Sequence, residues 1–219
     1  MYRSTGLVAI VLLATGLATK AGALTATIDN ERVTVWDVVL GKGQSGPPTP
    51  DTMDTVVLFL EGGTIQTVGK DGHRVVKKRD FGDAVFVPRG ASARDTLIEG
   101  TDAHEVVIGL KDYASPAVAN LTGYPLAFPR PGSVKVFEND RIVVWHYTWK
   151  AGAPTSMHFH NKDVVVAYRY DGVLKSIPPS GAAVLNSCKA GDIRFNKADR
   201  SHSEELVEGQ ESAVMMELK

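Results

Sequence analysis

The sequence predicts an all-β protein built from two similar halves in tandem. Short β-branched and apolar runs alternate with glycine, proline, aspartate and serine, and no stretch keeps a helical period. The second observation is an internal repeat, in which Asp29 to Trp36 (DNERVTVW) is matched 109 positions later by Glu138 to Trp145 (ENDRIVVW). Evenly spaced strands with turn signals are typical of a β sandwich or barrel, and the repeat predicts two of them.

The repeat includes the turns as well as the strands. Glycines recur at the same offset in five pairs: Gly43 with Gly152, Gly63 with Gly172, Gly72 with Gly181, Gly82 with Gly191, and Gly100 with Gly209. Glycine marks positions that need a positive φ or a close backbone approach, so matched glycines predict matched turns. One residue is skipped after Gly100, and residues 106–111 then align with 214–219.

Seven strands are predicted in the first half, and the second half repeats them. They are Arg32–Leu40, Thr55–Leu60, Thr64–Val68, Arg74–Lys77, Asp83–Val87, Arg94–Ile98 and Glu105–Leu110. Between the halves, residues 114–131 hold four prolines, which lack the backbone donor that a strand ladder needs. This segment is predicted to be a connector.

Residues 1–23 are typical of a secretory signal. Arg3 supplies the positive start, Gly6 to Leu17 the apolar segment, and Ala21-Gly22-Ala23 the cleavage site. The apolar segment is too short for a membrane-spanning helix, so we expect no integral span after cleavage, with a retained N-terminal anchor as the alternative. Cleavage would leave 196 residues (219 − 23). We expect export, most simply to a bacterial periplasm.

Composition excludes several classes of protein. Cys188 is the only cysteine, so no intramolecular disulfide can form. We interpret it as a small packed residue. The chain carries 24 basic and 25 acidic residues without a long basic tract, which argues against a nucleic-acid partner.

The candidate site begins at two histidines with strand spacing. His158 and His160 precede the run VVVAY, and alternate side chains of a strand leave the same face, so both imidazoles point one way. Two neutral imidazoles on one face can chelate a cation if a third donor arrives, and His202 is that candidate. The sequence therefore predicts a metal site of His158, His160 and His202.

These residues resemble the two sequence motifs of the cupin superfamily. Gly152, His158, His160 and Gly172 follow the spacing of the first motif, and Gly191 with His202 eleven positions later follows the second. The chain departs from the first motif where valines stand at positions 164 and 165, in place of the usual glutamate. In the second motif, Lys197 and Asp199 replace the usual proline and glycine.

The resemblance implies two tandem cupin barrels, also described as double-stranded β-helices or jelly rolls. We divide the chain into a signal peptide (1–23), an N-terminal barrel (24–111), a proline-rich connector with a first strand region (112–137) and a C-terminal barrel (138–219). At the 109-residue offset, Thr49, Asp51 and Ala93 stand opposite His158, His160 and His202. A hydroxyl, one carboxylate and a methyl group make no divalent-metal site, so the N-terminal barrel is predicted to lack one.

The resemblance permits two functions. The first is a metal-dependent oxygenase of a small polar molecule, because cupins with three histidines include thiol and diketone dioxygenases; isomerase or lyase chemistry is less favoured. Iron is slightly preferred among Fe, Mn, Ni, Cu and Zn. The second is a non-catalytic ligand-binding or assembly module, so enzyme status stays open at this point. The resemblance also suggests a homodimer.

Three acidic residues near the histidines are accessory candidates for acid or base work. They are Asp163, Glu204 and Glu205. Residue 163 has the opposite parity to the two strand histidines, so a regular strand would direct its side chain away from the site.

Overall fold

The computed structural model describes residues 25–113 and 118–219. Within these ranges the chain forms seventeen strands and no helix, so the all-β prediction is confirmed. No helix among the described residues is long and apolar enough to cross a membrane. The signal segment predicted at residues 1–23 lies outside the described residues, and export stays a prediction.

The first half folds into two antiparallel sheets that form one barrel. The larger sheet has the order β1-β2-β8-β3-β6, and the smaller has the order β5-β4-β7. The strands are β1 (Ile28–Asp29), β2 (Val33–Gly41), β3 (Asp54–Glu61), β4 (Gly63–Gly69), β5 (Arg74–Arg79), β6 (Ala84–Val87), β7 (Ala93–Glu99) and β8 (Asp102–Leu110). All seven strands predicted for this half are present, with ends that differ by up to three residues.

The second half repeats this arrangement with one strand added. Its larger sheet has the order β9-β10-β17-β12-β15, and its smaller sheet is β14-β13-β16-β11. The strands are β9 (Val134–Glu138), β10 (Ile142–Trp149), β11 (His158–His160), β12 (Val164–Tyr168), β13 (Gly172–Ile177), β14 (Val184–Cys188), β15 (Ile193–Asn196), β16 (Arg200–Gly209) and β17 (Glu211–Leu218). The added strand, β11, carries His158 and His160.

The matched glycines lie at positions with matching backbone requirements in the two halves, as the repeat predicts. Gly82 and Gly191 have φ values of 89° and 88°, and Gly43 and Gly152 have 78° and 71°. Gly63 does not need a positive φ, but a Cβ there would lie 2.6 Å from the carbonyl oxygen of Glu99, and Gly172 is equally crowded. Both requirements exclude larger residues.

Three apolar clusters form the core of the molecule, and one of them joins the two barrels. One fills the N-terminal barrel around Phe59 and Leu97, and another fills the C-terminal barrel around Trp145 and Leu174. The third lies between the two larger sheets and takes residues from both, including Val56 and Val165. Strands such as β3 and β17 are therefore buried on both faces, which explains their almost continuous apolar sequence.

Two ion pairs at this interface are related by the repeat. The Arg32 Nε atom lies 3.4 Å from Asp163 Oδ2, and the Arg141 Nη1 atom lies 2.7 Å from Asp54 Oδ2. Arg141 and Asp163 are the repeat equivalents of Arg32 and Asp54. Each barrel thus supplies one arginine and one aspartate to the other, as in an isologous dimer interface.

Candidate metal centre

Strand β11 is held in place from both sides. It pairs with β16, in a register that sets His158 opposite His202 and His160 opposite Arg200. On its other edge, the connector runs alongside, with the Phe159 amide donating to Pro125 and the Ala127 amide donating to Phe159. The connector therefore fixes the strand that carries two of the candidate ligands.

The three histidines meet inside the C-terminal barrel. Their ring centroids are 4.9–5.1 Å apart in all three pairs, and one nitrogen from each ring lies within 4.8 Å of the others. The Nε2 atoms of His160 and His202 are 3.2 Å apart. Two nitrogen atoms that each bind the same ion at about 2.0–2.2 Å lie at a similar distance from each other.

A hydrogen bond to the outer nitrogen sets the tautomer of one ring. The Nδ1 atom of His158 is 2.8 Å from the carbonyl oxygen of Ser156, to which it donates, so the Nε2 atom of His158 carries a lone pair. The Nδ1 atom of His202 is 3.3 Å from the hydroxyl of Ser176, which can donate or accept. The Nδ1 atom of His160 is buried and has no partner among the described residues.

The rings are neutral at pH 7. Burial, assisted by Arg130, lowers the pKa of His158, and burial, assisted by Arg200, lowers the pKa of His160 strongly. Burial also lowers the pKa of His202 to about 4, although the Glu204 carboxylate opposes this shift. Neutral imidazole is the form that binds metal ions.

A buried ion pair lies beside the histidines. The Arg130 Nη1 atom is 3.2 Å from both His158 Nε2 and Glu204 Oε2, and the Trp149 Nε1 atom donates to the same Glu204 oxygen at 3.2 Å. Burial alone would raise the pKa of Glu204, but the Arg130 guanidinium and the hydrogen bond from Trp149 hold it below its ordinary value. Glu204 is therefore a carboxylate in the folded protein.

Arg130 is a site residue that sequence reasoning missed. Its side chain is 8% exposed and packs over the ring of Tyr147, with 3.8 Å from Cζ to the ring centroid. It lies in the connector between Pro129 and Pro131, and two fixed backbone φ angles were the only sequence signal there. Nothing in that pattern shows that the connector returns across the barrel and directs this guanidinium inward.

The other two acidic candidates point elsewhere. The Asp163 carboxylate accepts from the Ala198 amide and pairs with Arg32 at the interface between barrels. Glu205 lies next to Glu204 on β16, but its side chain faces outward and pairs with Lys175 at 3.4 Å. Of the three accessory candidates, only Glu204 lies beside the histidines.

The equivalent positions of the N-terminal barrel have a different chemistry. Thr49 accepts from the Ala93 amide, and Asp51 forms a solvent-exposed ion pair with Lys70. Deeper in this barrel lie two carboxylates that sequence reasoning did not place there, Asp95 and Glu105. Within the described part of the chain, each has a buried oxygen without a hydrogen bond. Their alternation with Leu97 and Val107 was the signal that could have identified them.

Comparisons with known proteins define the fold of this chain. No model of a known protein family matches the sequence, and no curated protein matches it. The structure matches the cupin 2 conserved barrel domain protein of Leptotrichia buccalis with a TM-score of 0.55 and 14% identity, over 93% of this chain and 92% of that one. It matches the oxalate decarboxylase of Bacillus subtilis, a protein with Mn(II) centres, with a TM-score of 0.59 and 14% identity, over 86% of this chain and 68% of that one. These similarities establish the cupin fold.

The site fits a divalent cation. Three neutral imidazoles converge, two of their nitrogens face each other at 3.2 Å, and the largely buried Glu204 carboxylate balances the nearby positive charge of Arg130. Three protein nitrogens leave coordination positions free for a further ligand. A cupin fold with this cluster indicates metal binding, and the donor types are compatible with several first-row ions.

Proposed function

We propose that this protein is an exported bicupin that binds one divalent metal ion through His158, His160 and His202 in its C-terminal barrel. The observation that carries the proposal is the convergence of three neutral imidazoles in the barrel interior. A bound ion would supply Lewis acidity, and iron would also supply redox chemistry. The N-terminal barrel completes the interface and binds no ion at the equivalent position.

The surroundings of the site favour a small anionic or strongly polar substrate. A cavity of about 320 Å³ is lined by Arg130, Lys150, Thr155 and Ser156 among others. Arg130 and Ser156 also contact His158, so this cavity adjoins the histidine cluster. Two cations and two hydroxyls suit a carboxylate or a similar group, which arginine can bind in two-point fashion. We propose an oxygenase-type reaction on such a molecule.

The proposal is tested by metal analysis followed by oxygen uptake. The purified protein is analysed for bound metals and then assayed with a panel of thiols, diketones and amino acids. Stoichiometric iron with oxygen uptake by one member of the panel would support the oxygenase. Lys150→Gln provides the matched variant, because it removes a cation of the cavity without removing the partner of Glu204, and it should raise KM for an anionic substrate more than it lowers kcat.

A second candidate function is a non-catalytic ligand-binding module. It is favoured by the contact of Arg130 with the lone pair of His158, because this hydrogen bond satisfies the ring without an ion. Protein that is isolated metal-free and keeps its melting temperature after chelation would support this function and contradict the first. A bound metal without oxygen uptake would leave metal binding in place but contradict the oxygenase.

A further inference from the structure

The two oxygens of Glu204 have different environments. Oε2 accepts hydrogen bonds from Arg130 and Trp149. Oε1 has no hydrogen bond among the described residues and lies 3.7 Å from the Nε2 atom of His202. One oxygen is thus anchored, and the other is directed toward the nitrogen that would hold a metal ion.

The backbone also fixes Glu204 beside the histidines. Glu204 lies two residues after His202 on β16, so both side chains leave the same face of the strand and enter the barrel. The Glu204 amide donates to the Thr155 hydroxyl, and its carbonyl accepts from the Thr155 amide. Both hydrogen bonds hold this strand position against the loop before β11.

Positions 164 and 165 cannot supply a carboxylate, since both are valine. Val164 packs in the core of the C-terminal barrel, and Val165 packs in the cluster between the barrels. Among the described residues, Glu204 is the only carboxylate with an oxygen this close to a site histidine.

We propose that Glu204 is a fourth protein ligand of the metal, binding through Oε1, with Arg130 and Trp149 as positioning residues that hold Oε2. This inference rests on the proposed function, because it needs the ion. Ligating carboxylates commonly have their second oxygen held by hydrogen bonds, and this carboxylate is already held in that way. When the lone pair of His158 binds an ion, Arg130 keeps Glu204 as its acceptor. An oxygen ligand favours ions such as Mn(II) and Fe(II).

The test is a titration of the metal-free full chain with Co(II), followed by visible absorption. We expect Glu204→Gln to weaken Co(II) binding by at least about tenfold and to change the absorption spectrum, because a neutral amide is a poor ligand. Glu205→Gln is the matched control, since it changes the neighbouring carboxylate on the opposite face and should bind like the wild type. Equal affinity and an equal spectrum for Glu204→Gln and the wild type would overturn the inference.

Further measurements separate loss of a ligand from loss of structure. Pulsed EPR with saturating Cu(II) should count three imidazole nitrogens in both the wild type and Glu204→Gln. Fewer imidazole nitrogens in the variant would mean that the substitution disturbs the histidines. That result would contradict a ligand role confined to Oε1. If Glu204→Gln does not fold, Glu204→Asp keeps the charge but shortens the side chain, and an unchanged Co(II) spectrum would again overturn the inference. A wild type that binds no Co(II) would overturn the proposed function as well.

Discussion

Asp199 shows how strongly the repeat constrains a single residue. Among the described residues it is the only non-glycine with a positive φ, at 61°. Its repeat equivalent is Gly90, with a φ of 86°. The Asp199 amide donates to the His160 carbonyl at 2.8 Å, and the Gly90 amide donates to the Asp51 carbonyl at 2.8 Å. The same turn is therefore made in both barrels, although only the N-terminal barrel has a glycine at the position with positive φ.

We expect Asp199→Gly to stabilise the protein by about 0.5–1 kcal/mol. A left-handed conformation costs an L-residue about 1–2 kcal/mol, and part of this gain is offset by the larger chain entropy of glycine in the unfolded state. Urea denaturation of the two proteins measures the difference. Gly90→Ala is the control and should destabilise the protein, because the left-handed backbone conformation of this position is unfavourable for alanine. Nothing lies within 4 Å of the added Cβ, so the backbone conformation is the only cost. A destabilised Asp199→Gly would contradict this explanation.

At the scale of single elements, β8 carries a carboxylate into an apolar barrel. Glu105 is 3% exposed, and its Oε1 atom has no hydrogen bond with any residue that the structure describes. Burial raises the pKa of Glu105 to about 8, with Asp95 adding to the shift and Arg79 opposing it. Glu105 is therefore protonated in the folded protein at neutral pH, whereas in the unfolded chain it ionises with its ordinary pKa of 4.5.

This difference makes stability depend on pH. The stability that the protonated Glu105 side chain contributes to the fold is fully present below pH 4.5 and is lost as the pH rises through the folded pKa of about 8. Between these values the unfolding free energy should fall by at most about 1.4 kcal/mol per pH unit from this group. Glu105→Gln should remove this pH-dependent part of the unfolding free energy. In urea denaturation, the unfolding free energy of the variant minus that of the wild type should therefore increase from pH 5 to pH 9. Parallel pH profiles would show that Glu105 is not protonated in the fold.

Sequence reasoning succeeded for the strands and failed for Arg130 and Glu105. Alternation and turn residues locate β2 to β8, because each strand buries a face and ends at a glycine or a polar residue. A connector has no such period, so no sequence pattern showed that Arg130 enters the barrel. A glutamate before an apolar run looks like a solvated strand end, and only its alternation with Val107 signalled that the Glu105 side chain enters the barrel.

On the scale of the whole molecule, the two barrels are joined by a symmetric interface. Apolar residues of both larger sheets form one cluster, and the two arginine–aspartate pairs exchange partners across it. Each arginine also donates to a backbone carbonyl at the end of a barrel, Arg32 to Lys219 and Arg141 to Lys111. The repeat in the sequence predicted two barrels, but the packing of one against the other appears only in the structure.

We expect Asp163→Asn to lower stability by about 2 kcal/mol without changing metal binding. The Arg32 side chain is 4% exposed, so the substitution leaves a buried cation without its carboxylate. Asp54→Asn is the symmetry-matched control and should lower stability in the same direction. Melting curves and metal content are measured for both variants. Loss of metal in Asp163→Asn alone would show that this aspartate serves the site and not the interface.

The central claim, a single metal ion held by the histidines of the C-terminal barrel, is tested most directly by metal content in two equivalent variants. His160→Ala removes one of the three imidazoles that define the site and should weaken binding enough for the ion to be lost during purification, whereas Asp51→Ala changes the corresponding position of the other barrel. We predict one divalent ion per chain in the wild type and in Asp51→Ala, and none in His160→Ala, which should also lose the rise in melting temperature that the metal gives the wild type. Retention of metal by His160→Ala, or its loss from Asp51→Ala, would contradict the account.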